Sequence, residues 1–166
     1  MKKKAGILFW ITGLSGSGKT SIAEKIFSFV KKKYGPTIIL SGDDLRKIFG
    51  YDKFDKKSRL KYAINYSKFC KKITDQNLNV IFSTVSLYHK VRYWNKKNIN
   101  KYLEIYIESD ISKLIQNKKK PFYKKKLINI VGKNIKAEFP KNPDIKIINN
   151  FEKSINQLKD DLIKKI

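Results

Sequence analysis

The chain has 166 residues, and its 41% hydrophobic and 13% aromatic content excludes an intrinsically disordered protein. The length fits one domain over residues 1–166, no apolar run reaches the roughly 18 residues of a membrane span, and the single cysteine excludes an internal disulfide and suits a cytoplasmic protein. The formal net charge of +24 comes from basic residues spread along the chain, so we expect a lysine-rich surface rather than a nucleic-acid site.

The first predicted strand and helix surround a glycine-rich segment. Gly6–Thr12 is an apolar run typical of a buried strand, and Ser21–Tyr34 has apolar residues at helical spacing. Between them, GLSGSGKT matches the phosphate-loop pattern G-x-x-x-x-G-K-[ST], in which backbone amides and the lysine bind phosphates and the last hydroxyl binds Mg²⁺. The pattern predicts ATP and Mg²⁺ as cofactors, bound by Gly13, Ser15, Gly16, Ser17, Gly18, Lys19 and Thr20.

The next segments alternate between strand and helix. Thr37–Leu40 is predicted as a short buried strand, and Asp43 or Asp44 can cap the short helix after it. Residues 50–54 are predicted as a loop. A helix is predicted over Lys56–Gln76, and a third strand over Leu78–Thr84.

The second half of the chain continues this alternation and then breaks it. We predict helices over Ser86–Lys97, Asp110–Asn117 and Phe151–Ile166. We predict strands over Tyr102–Ile107 and Ile145–Ile148. Residues 118–140 have poor periodicity, many lysines and two prolines. Because a connection of this length is unusual in a compact domain, it predicts a mobile lid.

Alternating strands and helices predict an α/β fold, a three-layer sandwich of the P-loop NTPase type with a five-stranded, mostly parallel sheet and a lid. Ligands of such sheets bind at the carboxyl ends of the strands. The segments Gly13–Thr20, Ser41–Arg46 and Ser86–Arg92 each follow a predicted strand. We expect them to share one cleft, which is the arrangement of a small-molecule kinase.

The three arginines are unusual in a chain whose 38 basic residues are otherwise all lysine. An arginine presents a planar pair of donors that grips phosphate or sulfate through two hydrogen bonds, which lysine cannot do. We therefore expect at least two of Arg46, Arg59 and Arg92 to lie in an anion site.

Several motifs resemble those of the adenylyl-sulfate kinase family over nearly the whole chain. Residues 9–20, FWITGLSGSGKT, are similar to the family's phosphate loop with its flanking W-L-T-G-L-S, and Leu40–Arg46 resembles L-D-G-D-N-V-R. Phe54–Arg59 and Ser83–Arg92 resemble F-S-x-x-D-R and S-x-I-S-P-Y-R-x-x-R. The resemblance implies transfer of the ATP γ-phosphoryl group to the ribose 3′-hydroxyl of adenosine 5′-phosphosulfate.

The resemblance also implies individual roles. Asp43 would orient the acceptor hydroxyl or accept its proton and, with Thr20, would hold Mg²⁺. Arg46 and Arg59 would clamp the anionic tail of the acceptor, and Phe54 would stack on its base. The remaining implied substrate contacts are Val85, Ser86 and the lid residue Lys120, and Ser86 joins Lys19 and Asp43 in the implied catalytic set. The family's tendency to dimerise makes a homodimer a candidate assembly.

Departures from the family pattern concentrate on the acceptor side. Ser41, Asp44 and Tyr62 replace Asp, Asn and Asn, and Ile130 stands where the family has a stacking Phe. The kinase chemistry is therefore expected to persist, while the departures leave the identity of the acceptor base open. Family members in capsule pathways act on cytidine 5′-diphosphoramidate, which stays open as the alternative acceptor.

Two functions from other classes compete with the kinase. A motor or switch ATPase would need an acidic residue at the end of a core strand, but the third predicted strand ends Phe82-Ser-Thr84. A basic nucleic-acid-binding P-loop ATPase is the remote alternative, supported only by net charge.

Overall fold

A computed structural model describes residues 5–116, 131–133 and 135–166. Within them, five strands form one parallel sheet in the order β2-β3-β1-β4-β5. The strands are β1 Leu8–Gly13, β2 Thr37–Ser41, β3 Asn79–Thr84, β4 Tyr102–Glu108 and β5 Ile145–Ile148. The helices are α1 Lys19–Tyr34, α2 Gly42–Ile48, α3 Lys56–Thr74, α4 His89–Asn98, α5 Ile111–Gln116 and α6 Ile155–Ile163. The predicted α/β sandwich is confirmed.

Both faces of the sheet are covered, which makes the three layers. The side chains of Phe9 and Ile11 on β1 pack in one apolar cluster with residues of α1 and α6, while Leu8 and Trp10 pack in a second cluster with residues of α3 and α4. This alternation is the period-2 geometry of a strand, and because both faces are buried the strand is a continuous apolar run. Cys70 is fully buried in the second cluster, and burial raises the pKa of its thiol.

Several helix starts differ from the prediction, among them α4, which begins at His89 rather than Ser86. At two helix starts the difference has a local reason. The helix after β2 is capped by Ser41, whose hydroxyl accepts a hydrogen bond from the Asp44 N–H at 3.1 Å, so capping by Asp43 or Asp44 was wrong. The closing helix begins at Ile155 rather than near Phe151, because Ser154 and Gln157 form a reciprocal capping box. Phe151 lies in a turn with a φ of 66°.

In the part of the chain that the structure describes, no helix is long and apolar enough to cross a membrane. Most of the predicted lid, including Lys120 and Ile130, lies outside the described residues. Its last part is described, and there Val131 and Ile135 are buried in a third apolar cluster with Leu14 and Tyr106.

Candidate functional site

The glycine-rich segment forms a tight loop between β1 and α1. Gly16 and Gly18 have φ values of 83° and 88°, a left-handed conformation that side chains with a Cβ rarely adopt. Lys19, the first residue of α1, is 6% exposed, and its ammonium group donates a hydrogen bond to the Leu14 carbonyl at 2.6 Å. The loop is therefore folded and its lysine is held against it.

The last part of the predicted lid packs on this loop. Leu14 is buried in the cluster that contains Val131 and Ile135. A Cβ on Gly132 would lie 2.6 Å from Cδ2 of Leu14, so only glycine allows this close approach without a shift. The phosphate loop is thus in apolar contact with the described last part of the predicted lid.

The end of β2 lies beside the end of β3 at the same edge of the sheet. Ser41 pairs with Ser83 in register, and Thr12 at the end of β1 pairs with Thr84. A Cβ on Gly42 would lie 2.7 Å from the Thr84 hydroxyl oxygen, so glycine permits α2 to start close to β3. Asp43, one residue into α2, is exposed at this edge.

Two arginines converge on Phe54. The guanidinium carbon of Arg46 lies 4.3 Å from the centroid of the Phe54 ring, and that of Arg59 lies 5.2 Å from it. Arg46 also donates to the carbonyls of Tyr51 and Lys53 at 3.1 Å each, while Nε of Arg59 donates to the Phe54 carbonyl at 2.7 Å. Phe54 itself is 48% exposed. We call Arg46, Phe54 and Arg59 the arginine cluster.

The electrostatics of Arg59 agree with this geometry. Burial, followed by the neighbouring Arg46 cation, lowers the pKa of Arg59, while the Asp43 carboxylate raises it. Arginine stays protonated in proteins at physiological pH, so two positive charges remain close together, with the Asp43 and Asp55 carboxylates nearby. Such a pair is stabilised by an anion that binds between them.

A stacked pair of tyrosine rings lies next to the arginine cluster. The rings of Tyr51 and Tyr62 stack with centroids 3.9 Å apart and an interplanar angle of 8°. Tyr62 also lies under Arg46, whose guanidinium carbon is 5.4 Å from its ring centroid. The Arg46 guanidinium group therefore lies near two aromatic rings, Phe54 and Tyr62, which restrict its orientation.

Val85 and Ser86 follow β3 at the same edge. Val85 is partly buried against the cluster that contains Leu14. Ser86 is 2% exposed, and within the described residues its hydroxyl oxygen has no hydrogen-bond partner. A buried hydroxyl without a partner costs free energy. A hydrogen bond from Ser86 to a polar group of a ligand would therefore be favourable.

Arg92 lies apart from the arginine cluster. It is 5% exposed, its Nε is 3.1 Å from the Glu104 carboxylate, and it donates to the Glu138 carbonyl at 2.7 Å. The expectation that Ser86–Arg92 brings its arginine into the cleft was therefore wrong, because a carboxylate on β4 already neutralises it. Nδ1 of His89, beside it, accepts a hydrogen bond from the Arg92 guanidinium group at 2.5 Å.

The remaining predicted site residues gather at one edge of the sheet. The phosphate-loop residues Gly13 to Thr20, Asp43, the arginine cluster, Val85 and Ser86 all follow the carboxyl ends of β1, β2 or β3. Their roles stay predictions, and Lys120 lies outside the described residues.

Tyr51 and Asn149 were missed as site residues. Asn149 follows the carboxyl end of β5, a position that could have marked it.

The sheet order and the loop after its central strand define a P-loop kinase fold. A model of the adenylylsulphate kinase family matches residues 5–148, and the chain belongs to this family. The chain is therefore a kinase, a phosphotransferase with an alcohol acceptor, as predicted.

Individual relatives cover nearly the whole chain. It is 36% identical over 163 residues to the cytidine diphosphoramidate kinase of Campylobacter jejuni, covering 96% of this chain and 95% of that one. It is 28% identical over 147 residues to a probable adenylyl-sulfate kinase of Pyrococcus abyssi, covering 86% and 84%. The fold is similar to that of the Mycobacterium tuberculosis APS kinase CysC in complex with AMPPNP and APS, with a TM-score of 0.85, 23% identity and 97% of both chains covered.

Proposed function

We propose that the chain transfers the γ-phosphoryl group of ATP to the ribose 3′-hydroxyl of a small 5′-modified nucleotide, with cytidine 5′-diphosphoramidate as the first candidate acceptor. The observation that carries the proposal is that the phosphate loop and the arginine cluster lie at the same edge of the sheet. A donor triphosphate and an anionic acceptor can therefore meet there. This arrangement suits phosphoryl transfer, which depends mainly on positioning and charge neutralisation.

In this proposal, Lys19 and the loop amides bind the donor phosphates, and the arginine cluster binds the anionic tail of the acceptor. Asp43 orients the 3′-hydroxyl toward the γ-phosphorus or accepts its proton. Val85 and Ser86 contact the acceptor, and Lys120 joins the phosphates from the lid.

The donor set fits Mg²⁺. Thr20 and Asp43 are both exposed at the site edge. No group of three or more His, Cys, Asp and Glu side chains gathers in the described residues. This composition suits Mg²⁺, which proteins hold through one or two oxygen ligands together with substrate phosphates and water. The ion would neutralise charge on the phosphates.

The choice of acceptor rests on similarity and on the acceptor-side residues. The sequence motifs alone favour adenylyl sulfate. The 36% identity to the Campylobacter jejuni cytidine diphosphoramidate kinase exceeds the 28% identity to the Pyrococcus abyssi probable adenylyl-sulfate kinase and extends over more of the chain. Tyr62, which replaces an Asn of the family pattern, also stacks on Tyr51 and lies near Arg46 of the arginine cluster. Adenylyl sulfate remains the second candidate because the family model carries that name.

The test is an ADP-release assay with ATP, Mg²⁺ and each acceptor in turn. We expect turnover with cytidine 5′-diphosphoramidate, a kcat/KM at least about tenfold lower with adenylyl sulfate, and none with the 3′-deoxy form of either. A reversed preference would make adenylyl sulfate the acceptor. ADP release without any acceptor would instead indicate an ATPase and overturn the proposal.

A matched pair of lysine variants controls this assay. Lys19→Ala should lower kcat by at least about 100-fold, because a phosphate-binding cation is removed from the transition state. Lys25→Ala, on an exposed position of α1, should retain wild-type activity. Equal activities of the two variants would contradict the role of the phosphate loop.

A further inference from the structure

Asn149 joins the end of β5 to the phosphate loop. The residue is 5% exposed, and its side-chain amide donates a hydrogen bond to the Ser17 carbonyl at 3.0 Å. Its side-chain oxygen accepts a hydrogen bond from the Phe151 N–H, also at 3.0 Å. The residue thus uses both ends of its amide, one on the loop and one on its own turn.

The backbone places this amide accurately. The N–H of Asn149 donates to the Glu108 carbonyl at 2.8 Å, which ties the residue to the end of β4. A Cβ on Gly18 would lie only 3.1 Å from the Asn149 amide nitrogen and 3.6 Å from Cδ1 of Ile155. The end of β5 and the start of α6 therefore lie directly against the loop at Gly18.

The orientation of one peptide group follows from this contact. In a planar trans peptide, the carbonyl of Ser17 and the N–H of Gly18 point in opposite directions. A carbonyl held by Asn149 on the β5 side turns the next N–H to the other side of the loop. A phosphate loop works only if its N–H groups, and not its carbonyls, point at the phosphates.

We propose that Asn149 is a positioning residue of the nucleotide site, which fixes the Ser17–Gly18 peptide so that its N–H points at the donor phosphates. This inference rests on the proposed use of the loop to bind a nucleoside triphosphate. Asn149 touches the loop and not the reacting atoms, so its loss should weaken binding of the nucleotide rather than of the acceptor.

The test measures the Kd of AMPPNP with Mg²⁺ by titration calorimetry on folded protein. Asn149→Asp keeps the acceptor for Phe151 but replaces the donor to Ser17 by an oxygen, and Asn149→Ala removes the contact without adding charge. Each should raise the Kd about tenfold, equivalent to about 1.4 kcal/mol. The matched control Asn150→Asp places the same charge one residue away and should raise it less than about twofold.

The outcomes separate this inference from the proposed function. If wild-type protein does not bind AMPPNP, the proposed function fails. If it binds and both Asn149 variants bind equally well, or Asn150→Asp loses as much affinity, the positioning role is wrong. A residue that serves only folding would lower the thermal midpoint of the free protein while leaving the Kd of the folded fraction unchanged. Should Asn149→Asp not fold, Asn149→Ala decides the question.

Discussion

At the residue scale, the main feature of the site is a set of positively charged groups whose orientation is restricted. Arg46 is held by two backbone carbonyls and lies near the rings of Phe54 and Tyr62. Arg59 is held by the Phe54 carbonyl, and its guanidinium group also lies near the Phe54 ring. Because the side chains are ordered in advance, little rotamer entropy remains to be lost when an anion binds.

Arg59 tests the anion-binding role most directly. We expect Arg59→Ala to raise the KM for the acceptor about tenfold or more while the KM for ATP stays within about twofold, since a charge-assisted hydrogen bond to the acceptor is lost. Arg59→Lys retains the charge but not the planar fork and should recover only part of the loss. Initial rates at varied acceptor and saturating ATP give the acceptor KM, and initial rates at varied ATP and saturating acceptor give the KM for ATP. Unchanged acceptor kinetics in Arg59→Ala would contradict the assignment.

Tyr62 is expected to act on the acceptor through Arg46. Tyr62→Leu removes the ring that stacks on Tyr51 and lies under the guanidinium group, and we expect the acceptor KM to rise about fivefold, the equivalent of about 1 kcal/mol. Tyr62→Phe keeps the ring and should behave like the wild type. The same pair of assays measures this effect, and equal KM values for the two variants would show that the ring does not position Arg46.

At the element scale, α6 connects stability to the nucleotide site. It begins directly after the turn that contains Asn149 and Phe151, and its first residue, Ile155, packs near Gly18 of the phosphate loop. Its start is set by Ser154 and Gln157, which each satisfy a backbone N–H of the other. The place where the helix begins therefore decides where Ile155 meets the loop.

Removing the cap should weaken the fold measurably. Ser154→Ala leaves a helix N–H without its acceptor and should lower the free energy of unfolding by about 1 kcal/mol. Urea denaturation followed by circular dichroism measures the change. Ser28→Ala, at an exposed position inside α1, is the matched control and should be neutral or slightly stabilising, because alanine is the better helix former. If both variants lost the same stability, the capping box would not be its source.

At the scale of the whole molecule, the net charge of +24 acts at a distance from any one contact. A positive field attracts polyanionic nucleotides and accelerates their association, while leaving the chemical step at the site nearly unaffected. We therefore expect the charge to act in substrate capture, which does not require a nucleic-acid partner.

Ionic strength should separate capture from chemistry. Raising NaCl from about 50 mM to about 500 mM screens the field and should lower kcat/KM several-fold while kcat changes less than about twofold. A sucrose series of matched viscosity controls for diffusion. If kcat fell in parallel with kcat/KM, salt would be acting on the chemical step, and the capture role of the charge would be contradicted.

The amino-acid sequence by itself determined the strands, the helices and the phosphate loop, because apolar periodicity and the GLSGSGKT pattern are local signals that fold into the same elements in any compact context. It also indicated the shared edge of the sheet, since parallel strands end on one side. The tertiary structure alone decided that Arg92 pairs with Glu104, that Tyr51 stacks on Tyr62, and that Asn149 reaches Ser17. These contacts join residues whose partners lie on separate elements, where no spacing along the chain records which side chains will meet.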